Sequence, residues 1–300
     1  MKLKSDVIIL GGGLSGLILS YKLKDCFGIK TYVIEKGYNY KVQSGKYIII
    51  TRYKYPFSDE TIKMIFKYNS SCVNSFEKEF SRKVYGIETE KFIPKRPEKN
   101  EEIVYSINTD KLIKDAYIYR NINVTSIDTN SKTIYGKILH MNKNVSIQYK
   151  YLFNTIPLFK FGQLAGFDTF RDFDIFTSYF PVGVKTYKTD NYSDNLIHEY
   201  YSDENIPFYR KHHYKNNIFY EYCLNKEMVG ENFNFIKTPA KFLKIDNENL
   251  INFYEFLFNK DICMVGRYAV WNPDFVLDDI MCGNDESYSE YYNSMIEKAM

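Results

Sequence analysis

Nothing in this 300-residue sequence approaches the run of roughly 20 apolar residues that a membrane-spanning helix needs. Cysteine is scarce and unpatterned. The five residues Cys26, Cys72, Cys223, Cys263 and Cys282 are odd in number, widely spaced and free of any C-x-x-C pair, which argues against a disulfide framework and a zinc site. A reducing compartment fits, and the expectation is a cytoplasmic protein without a metal. The apolar stretch after Lys4 imitates a secretory leader, but Asp6 interrupts it and no cleavage pattern follows. Neither sign of charge dominates: 40 Lys and Arg stand against 37 Asp and Glu, a net charge of +3, so no strong field calls for nucleic acid or acidic lipid. Nucleic acid stays open as a partner but is not indicated. Also missing are a nucleophile-base triad, an internal repeat and a low-complexity tail. Alanine is rare while Lys, Asn, Ile, Tyr and Phe abound, so the 29 tyrosines are mostly compositional background.

What is present lies within a dozen residues of the start. Residues 7–10, a short β-branched run without polar alternation, predict a buried parallel strand. Residues 14–24 predict a helix with apolar positions at Leu14, Leu17, Ile18 and Tyr21. Between them fall Gly11, Gly13 and Gly16. The first permits a tight turn, the second lets backbone approach a pyrophosphate, and the third allows helix and strand to pack closely. Phosphates there meet free N–H groups at a helix N-terminus. Glu35 closes a second apolar run about 20 residues on, where a carboxylate accepts hydrogen bonds from ribose hydroxyls. This context makes a dinucleotide site the reading; the bland alternative is an α/β unit whose glycines serve packing and whose Glu35 is merely solvated.

Beyond Glu35, a turn-rich loop ends in the strand-like residues 47–51, and residues 59–68 and 73–80 read as helices. The proline-punctuated residues 94–102 mark a boundary. A short helix from Thr109, strand-like runs at 117–120, 123–128, 133–135 and 145–149, and a buried strand at 151–154 follow. Residues 173–224 predict a second, antiparallel sheet, suited to substrate recognition. A helix at 247–258, a parallel strand at 262–265 and a terminal helix at 285–299 complete the chain.

Three further segments turn the dinucleotide reading toward flavin. Val124 sits where a strand could address adenine through its backbone. Residues 154–157 resemble a strand-end turn near a pyrophosphate. Near the C-terminus, Gly266 and Arg267 form a Gly-Arg turn after a strand, followed by Trp271, Asp274 and Phe275 before a helix. In order and position these resemble the FAD-binding pattern of the amine oxidase, protoporphyrinogen oxidase and UDP-galactopyranose mutase superfamily, over nearly the whole chain. The segment Asp203-Glu204-Asn205-Ile206-Pro207-Phe208-Tyr209-Arg210 resembles one on the flavin-facing sheet of mutase-like members. The resemblance implies an α/β fold: a Rossmann-like FAD-binding domain of the GR2 type at 1–55, 100–165 and 245–300, a helical insert at 56–99, and an antiparallel-sheet substrate domain at 166–244. It implies FAD as cofactor, with Gly11, Gly13, Leu14, Ser15, Gly16, Glu35 and Lys36 at the ADP half and Val124 at adenine. Thr155, Gly266 and Arg267 fall to the pyrophosphate and ribityl region, and Asp274 and Phe275 to the flavin edge, where backbone N–H groups at a helix start would meet the N1–C2=O side. The chain departs from the family in being shorter and in lacking an Arg-Gly-Gly run after the acidic residue; only Gln43-Ser44-Gly45-Lys46 stands there.

A flavin carries the hard chemical step itself, so the missing triad does not argue against an enzyme. Arg210 and Arg267 are candidates for bidentate contacts to a substrate phosphate or carboxylate. The alternative for Arg210 is a surface charge at a strand edge. His212 and His213 are adjacent, point to opposite faces of a strand and cannot share one metal; His212 is a candidate proton shuttle, with solvent exposure the expected state. Tyr268 and Trp271 could wall a flavin or serve as core, and Lys46 could approach flavin or phosphate. The leading expectation is an FAD-dependent oxidoreductase of the amine-oxidase-like class transferring hydride from substrate to flavin N5. Alternatives are a mutase-like isomerase or transferase on a nucleotide sugar, a flavoenzyme tailoring a modified nucleotide or nucleic acid base, and a non-catalytic dinucleotide-binding module. The expected partner is a small molecule, phosphorylated or nucleotide-linked.

Overall fold

The computed structural model describes residues 1–37, 48–69, 76–86, 99–175, 179–224, 232–242, 248–272, 274–283 and 289–300. The chain opens with β1 (Lys2–Leu10), α1 (Leu14–Phe27) and β2 (Thr31–Ile34), then β3 (Ile50–Thr51), β4 (Ser58–Asn69) and α2 (Phe76–Tyr85). Next come β5 (Glu101–Ile107), α3 (Thr109–Asp115), β6 (Ile118–Tyr119), β7 (Ile122–Asp128), β8 (Thr133–Ile138) and β9 (Lys143–Asn154). Helices α4 (Leu158–Ala165) and α5 (Thr169–Phe173) lead to β10 (Tyr179–Lys188), β11 (Leu196–Tyr201), β12 (Arg210–Tyr214), β13 (Asn217–Cys223) and β14 (Phe235–Phe242). The last elements are α6 (Glu248–Phe258), β15 (Ile262–Met264), α7 (Leu277–Cys282) and α8 (Ser289–Ala299). Among the described residues no helix is long and apolar enough to cross a membrane.

These elements form two compact units, the first comprising Met1–Tyr47, Asn108–Thr177 and Lys244–Met300. Its sheet runs β6-β2-β1-β9-β8-β7, with β15 also paired to β9. Strands β6, β2, β1, β9 and β15 are parallel, and β7 and β8 add an antiparallel meander. The apolar run Val7 to Leu10 is buried because it lies inside this sheet, in register with β2 from Val7 opposite Thr31 and with β9 up to Leu10 opposite Asn154. Helix α1 is buried over much of its circumference, including Leu17, Ile18, Leu19 and Leu23. It ends at Gly28, whose positive φ of 69° suits a residue without a Cβ. Even Lys22 of α1 is buried; its Nζ donates to the Ile280 carbonyl at 2.9 Å and lies 4.6 Å from the Tyr292 ring centre, tying α1 to α7 and α8. Strand β9 serves two partners on one side: its first half pairs with β8 and its end with β15.

The second unit comprises Ile48–Ile107 and Ser178–Leu243. Its sheet runs β14-β10-β13-β12-β11-β4-β5-β3, antiparallel except for the parallel pair β4 and β11. The helix expected at 59–68 is instead the long strand β4. Its buried Ile62 and Met64 alternate with the exposed Lys63, the period of a half-buried strand, and they pack with Val104 and Leu196 of its neighbours. The expected helical insert at 56–99 therefore contributes one described helix, α2. Residues 48–55 and 100–107, expected in the nucleotide-binding domain, also belong to this second unit.

Candidate functional site

In the first unit the three glycines lie between β1 and α1, and each has a distinct physical reason. Gly11 takes φ +102°, and a Cβ there would stand 2.6 Å from Thr155 Oγ1 and 2.9 Å from Ile156 Cγ2. At Gly16 a Cβ would collide with the Gly11 carbonyl oxygen. Gly13 differs: its backbone, φ −61° and ψ 179°, is open to any residue, and a Cβ would meet nothing within 4 Å. The fold does not demand a glycine there, whereas a ligand drawn close to the backbone would. Beside it, α1 begins without a side-chain cap and without an acidic residue in its first turn. Such a terminus suits an anion.

Glu35 holds the rim of this loop. Its Oε2 accepts from the Gly12 N–H at 2.9 Å and its Oε1 from the Gly37 N–H at 2.6 Å, while its backbone pairs with Tyr119 and Ile122. A carboxylate has about four acceptor positions, so two remain open beyond these bonds. Lys36 is exposed beside it. Val124 lies half-buried on β7, two residues beyond Ile122. Thr155 is occupied in holding the loop: its hydroxyl donates toward the Leu10 and Gly11 carbonyls, both at 2.9 Å. Asn154 is fully buried, and its Oδ1 has no hydrogen-bond partner among the described residues. Lys46 lies outside the described residues.

The C-terminal turn comes to the same loop. Gly266 has φ +93°, and a Cβ on it would stand 2.6 Å from Ser15 Oγ. The Val265 N–H donates to the Asn154 carbonyl at 2.7 Å, and the Leu158 N–H to the Tyr268 carbonyl at 2.9 Å. Arg267 is exposed and its Nε donates to the Phe275 carbonyl at 3.0 Å. Two expectations are corrected. Trp271 is fully buried, edge-on to Phe159, and so belongs to the core instead of walling an open site. The backbone N–H groups expected to meet a flavin edge already have acceptors: Asp274 donates to Asn272 Oδ1, Phe275 to the Asn272 carbonyl, and Val276 to Asp279 Oδ2. Phe275 itself is buried. Tyr268 is half-buried.

In the second unit, register assembles a polar cluster that no single stretch of sequence contains. Arg210 stands opposite Glu221 and Tyr200, and His212 opposite His198 and Phe219. Glu221 is 1 % exposed; its Oε2 accepts from Arg210 Nε at 2.8 Å and from the Tyr209 hydroxyl at 2.6 Å, with Arg210 Nη2 also in contact. Its Oε1 lies 3.8 Å from His212 Nε2. The His198 and His212 rings pack perpendicular with centres 4.3 Å apart, and Phe66 closes the other side of His198. Arg210 is therefore a partly exposed partner of a buried carboxylate instead of a solvated edge charge, and His212 is buried where solvent exposure was expected. Burial, with His212 and Arg210 nearby, holds His198 well below the ordinary histidine range. Burial and the Glu221 charge push the Tyr209 hydroxyl upward. Glu221 and His198 were not singled out from the sequence, because only strand pairing brings them to Arg210 and His212.

Among the described residues no group of three or more His, Cys, Asp or Glu could hold a metal ion. No protein-family model matches the sequence, and no curated protein matches it either. Solved structures do match. The structure of reduced UDP-galactopyranose mutase is similar with a TM-score of 0.66 at 11 % identity, over 98 % of this chain and 96 % of that one. A geranylgeranyl bacteriochlorophyll reductase-like protein from Thermoplasma acidophilum is similar with a TM-score of 0.53 at 12 % identity, over 100 % of this chain and 83 % of that one. The likeness establishes the mixed α/β fold, a Rossmann-like unit joined in one chain with a largely antiparallel sheet.

Proposed function

We propose that this chain is a flavin-dependent oxidoreductase that holds FAD by its ADP half on the first unit. One observation carries this reading: Gly13 is a glycine that neither its backbone nor its neighbours require, at the uncapped start of α1. Glu35 would take the ribose, its carboxylate already oriented by Gly12 and Gly37. The N–H groups at the start of α1 would meet the pyrophosphate. The turn at Gly266, packed on Ser15, would fix where the loop ends. When bound, FAD supplies the hydride acceptor; the protein supplies orientation and the exclusion of water. Substrate recognition falls to the second unit, and a small phosphorylated or nucleotide-linked molecule is the class we favour.

A second reading is a mutase-like isomerase or transferase acting without net redox change on a nucleotide sugar. The likeness to UDP-galactopyranose mutase, which extends over nearly the full length of both chains, favours it. Purified protein incubated with FAD and passed through a desalting column should retain flavin absorption, whereas a colourless protein that binds NAD instead overturns both readings. Turnover of a UDP-sugar by dithionite-reduced protein alone selects the mutase-like reaction; oxygen consumption with an amine selects the oxidase.

A further inference from the structure

We propose that the second unit captures an oxyanion at Arg210 together with one proton taken up on His212. The inference rests on the reading of this unit as the substrate-recognising one. In the resting cluster the Arg210 guanidinium and the Glu221 carboxylate compensate each other, and the two imidazoles add no charge when neutral. Glu221 is 1 % exposed and His212 8 %, whereas the Arg210 side chain is 22 % exposed and so is the member that an anion arriving from solvent meets first. With Arg210 matched to Glu221, an added anion would leave the buried cluster with a net negative charge. A proton on His212 offsets one unit of that excess. Its Nε2 is 3.8 Å from Oε1, so the imidazolium becomes a second cation for the same carboxylate, and the guanidinium then has charge to offer a new partner.

The choice of ring follows from the surroundings. Glu221 on β13, Arg210 on β12 and His198 on β11 are charged or titratable groups that face His212, with the Tyr209 hydroxyl bound to the far oxygen of Glu221. Strand β4 brings only the Phe66 ring against His198, and α2 brings the Phe80 ring against Tyr200 and Tyr209. Strand β10 contributes Val184 and Thr186 to the same rows, both uncharged. Glu221 reaches His212 directly, at 3.8 Å through Oε1, whereas its charge acts on His198 less than burial, His212 and Arg210 do, so the proton goes to His212. Coupling is reciprocal: if protonation favours the anion, the anion must favour protonation to the same degree.

Sulfate is the probe, because its charge does not change between pH 6 and 9. Calorimetric titration of the purified protein near pH 7.5, in two buffers of different ionisation enthalpy, should show uptake of close to one proton per sulfate bound. Affinity should rise by up to about tenfold per unit as the pH is lowered, the limit set by one linked proton. Glu221→Gln carries the cluster's positive charge without a proton, so it should bind sulfate with little pH dependence and no proton uptake. His212→Gln should lose the proton uptake, and Arg210→Gln the binding. Pyrophosphate and acetate, titrated in parallel, distinguish a phosphoryl from a carboxylate ligand. Sulfate binding without proton uptake in the unaltered protein, no sulfate binding at all, or undiminished binding by Arg210→Gln overturns the proposal, and the first two need no variant to fold. Flavin content is measured in the same samples: retained flavin without proton-linked anion binding rejects this inference while leaving the proposed function standing.

Discussion

Gly266 and Ser15 approach so closely that a Cβ on the glycine would stand 2.6 Å from the serine hydroxyl oxygen and 2.8 Å from its Cβ. The contact joins the turn after β15 to the first turn of α1. Two regions that the sequence separates by most of its length thus form one wall of the candidate nucleotide site. Gly266→Ala should lower stability by roughly 1–3 kcal/mol, since the residue also sits at φ +93°. In a double-mutant cycle with Ser15→Gly, followed by chemical denaturation, the pair should be less destabilised than the sum of the single variants. Strict additivity would mean that backbone strain alone, and not the contact, sets the cost.

Gly13→Val separates folding from cofactor retention. The Cβ position is open and the backbone angles suit any residue, so the denaturation midpoint should shift little, by within about 1 kcal/mol. Flavin absorption after desalting should nevertheless be lost, because the side chain occupies the approach of the pyrophosphate. A variant that keeps its flavin would remove the phosphate from this loop.

Lys83 makes stability rise in alkali. Its Nζ donates to the Asp203 carbonyl at 2.6 Å and the Phe208 carbonyl at 2.8 Å, and burial lowers its pKa from the ordinary 10.5 to about 8. Below pH 8 both folded and unfolded chains carry the charge and the burial cost is fully felt. Between 8 and 10.5 the unfolded chain binds more protons than the folded one, so this residue's contribution improves with pH. Urea midpoints measured from pH 7.5 to 10 should show that trend in the unaltered protein relative to Lys83→Met; parallel curves would assign the ammonium an ordinary, solvated environment.

His198 acts at the other end of the scale. Its folded pKa lies well below 6.5, so as pH falls below 6.5 the unfolded chain takes up a proton that the folded one refuses. Stability should therefore decline below pH 6.5, with a limiting slope of about 1.4 kcal/mol per pH unit from this one group. His198→Phe, which keeps a ring against Phe66, should flatten the decline, and an unchanged slope would place the titrating group elsewhere.

The legible parts of this molecule are those governed by residues close in sequence. Gly11, Gly16 and Glu35 could be read because a turn, a tight packing contact and a strand end each impose a local requirement. Residues 59–68 could not. Lys63 and Lys67 are spaced like one helix face, and the pairing that makes the segment a strand comes from Glu101–Ile107 and Leu196–Tyr201, both remote in sequence. The cluster at Glu221 was hidden for the same reason, since Arg210 meets it only through the register of β12 on β13. Trp271 lies in a segment that the sequence singles out, but side-chain burial depends on Phe159 and the rest of the core, which spacing does not reveal.

Strand β9 bears on the order in which the protein can be made. Its amino-terminal half pairs with β8, which precedes it, whereas its carboxyl-terminal end waits for β15 and the Gly266 turn. During synthesis the ribosome must add the whole stretch from Ser15 to Gly266 before Ser15 acquires its partner. The glycine loop from Gly11 to Gly16, made long before the Gly266 turn, is therefore completed only when that turn arrives.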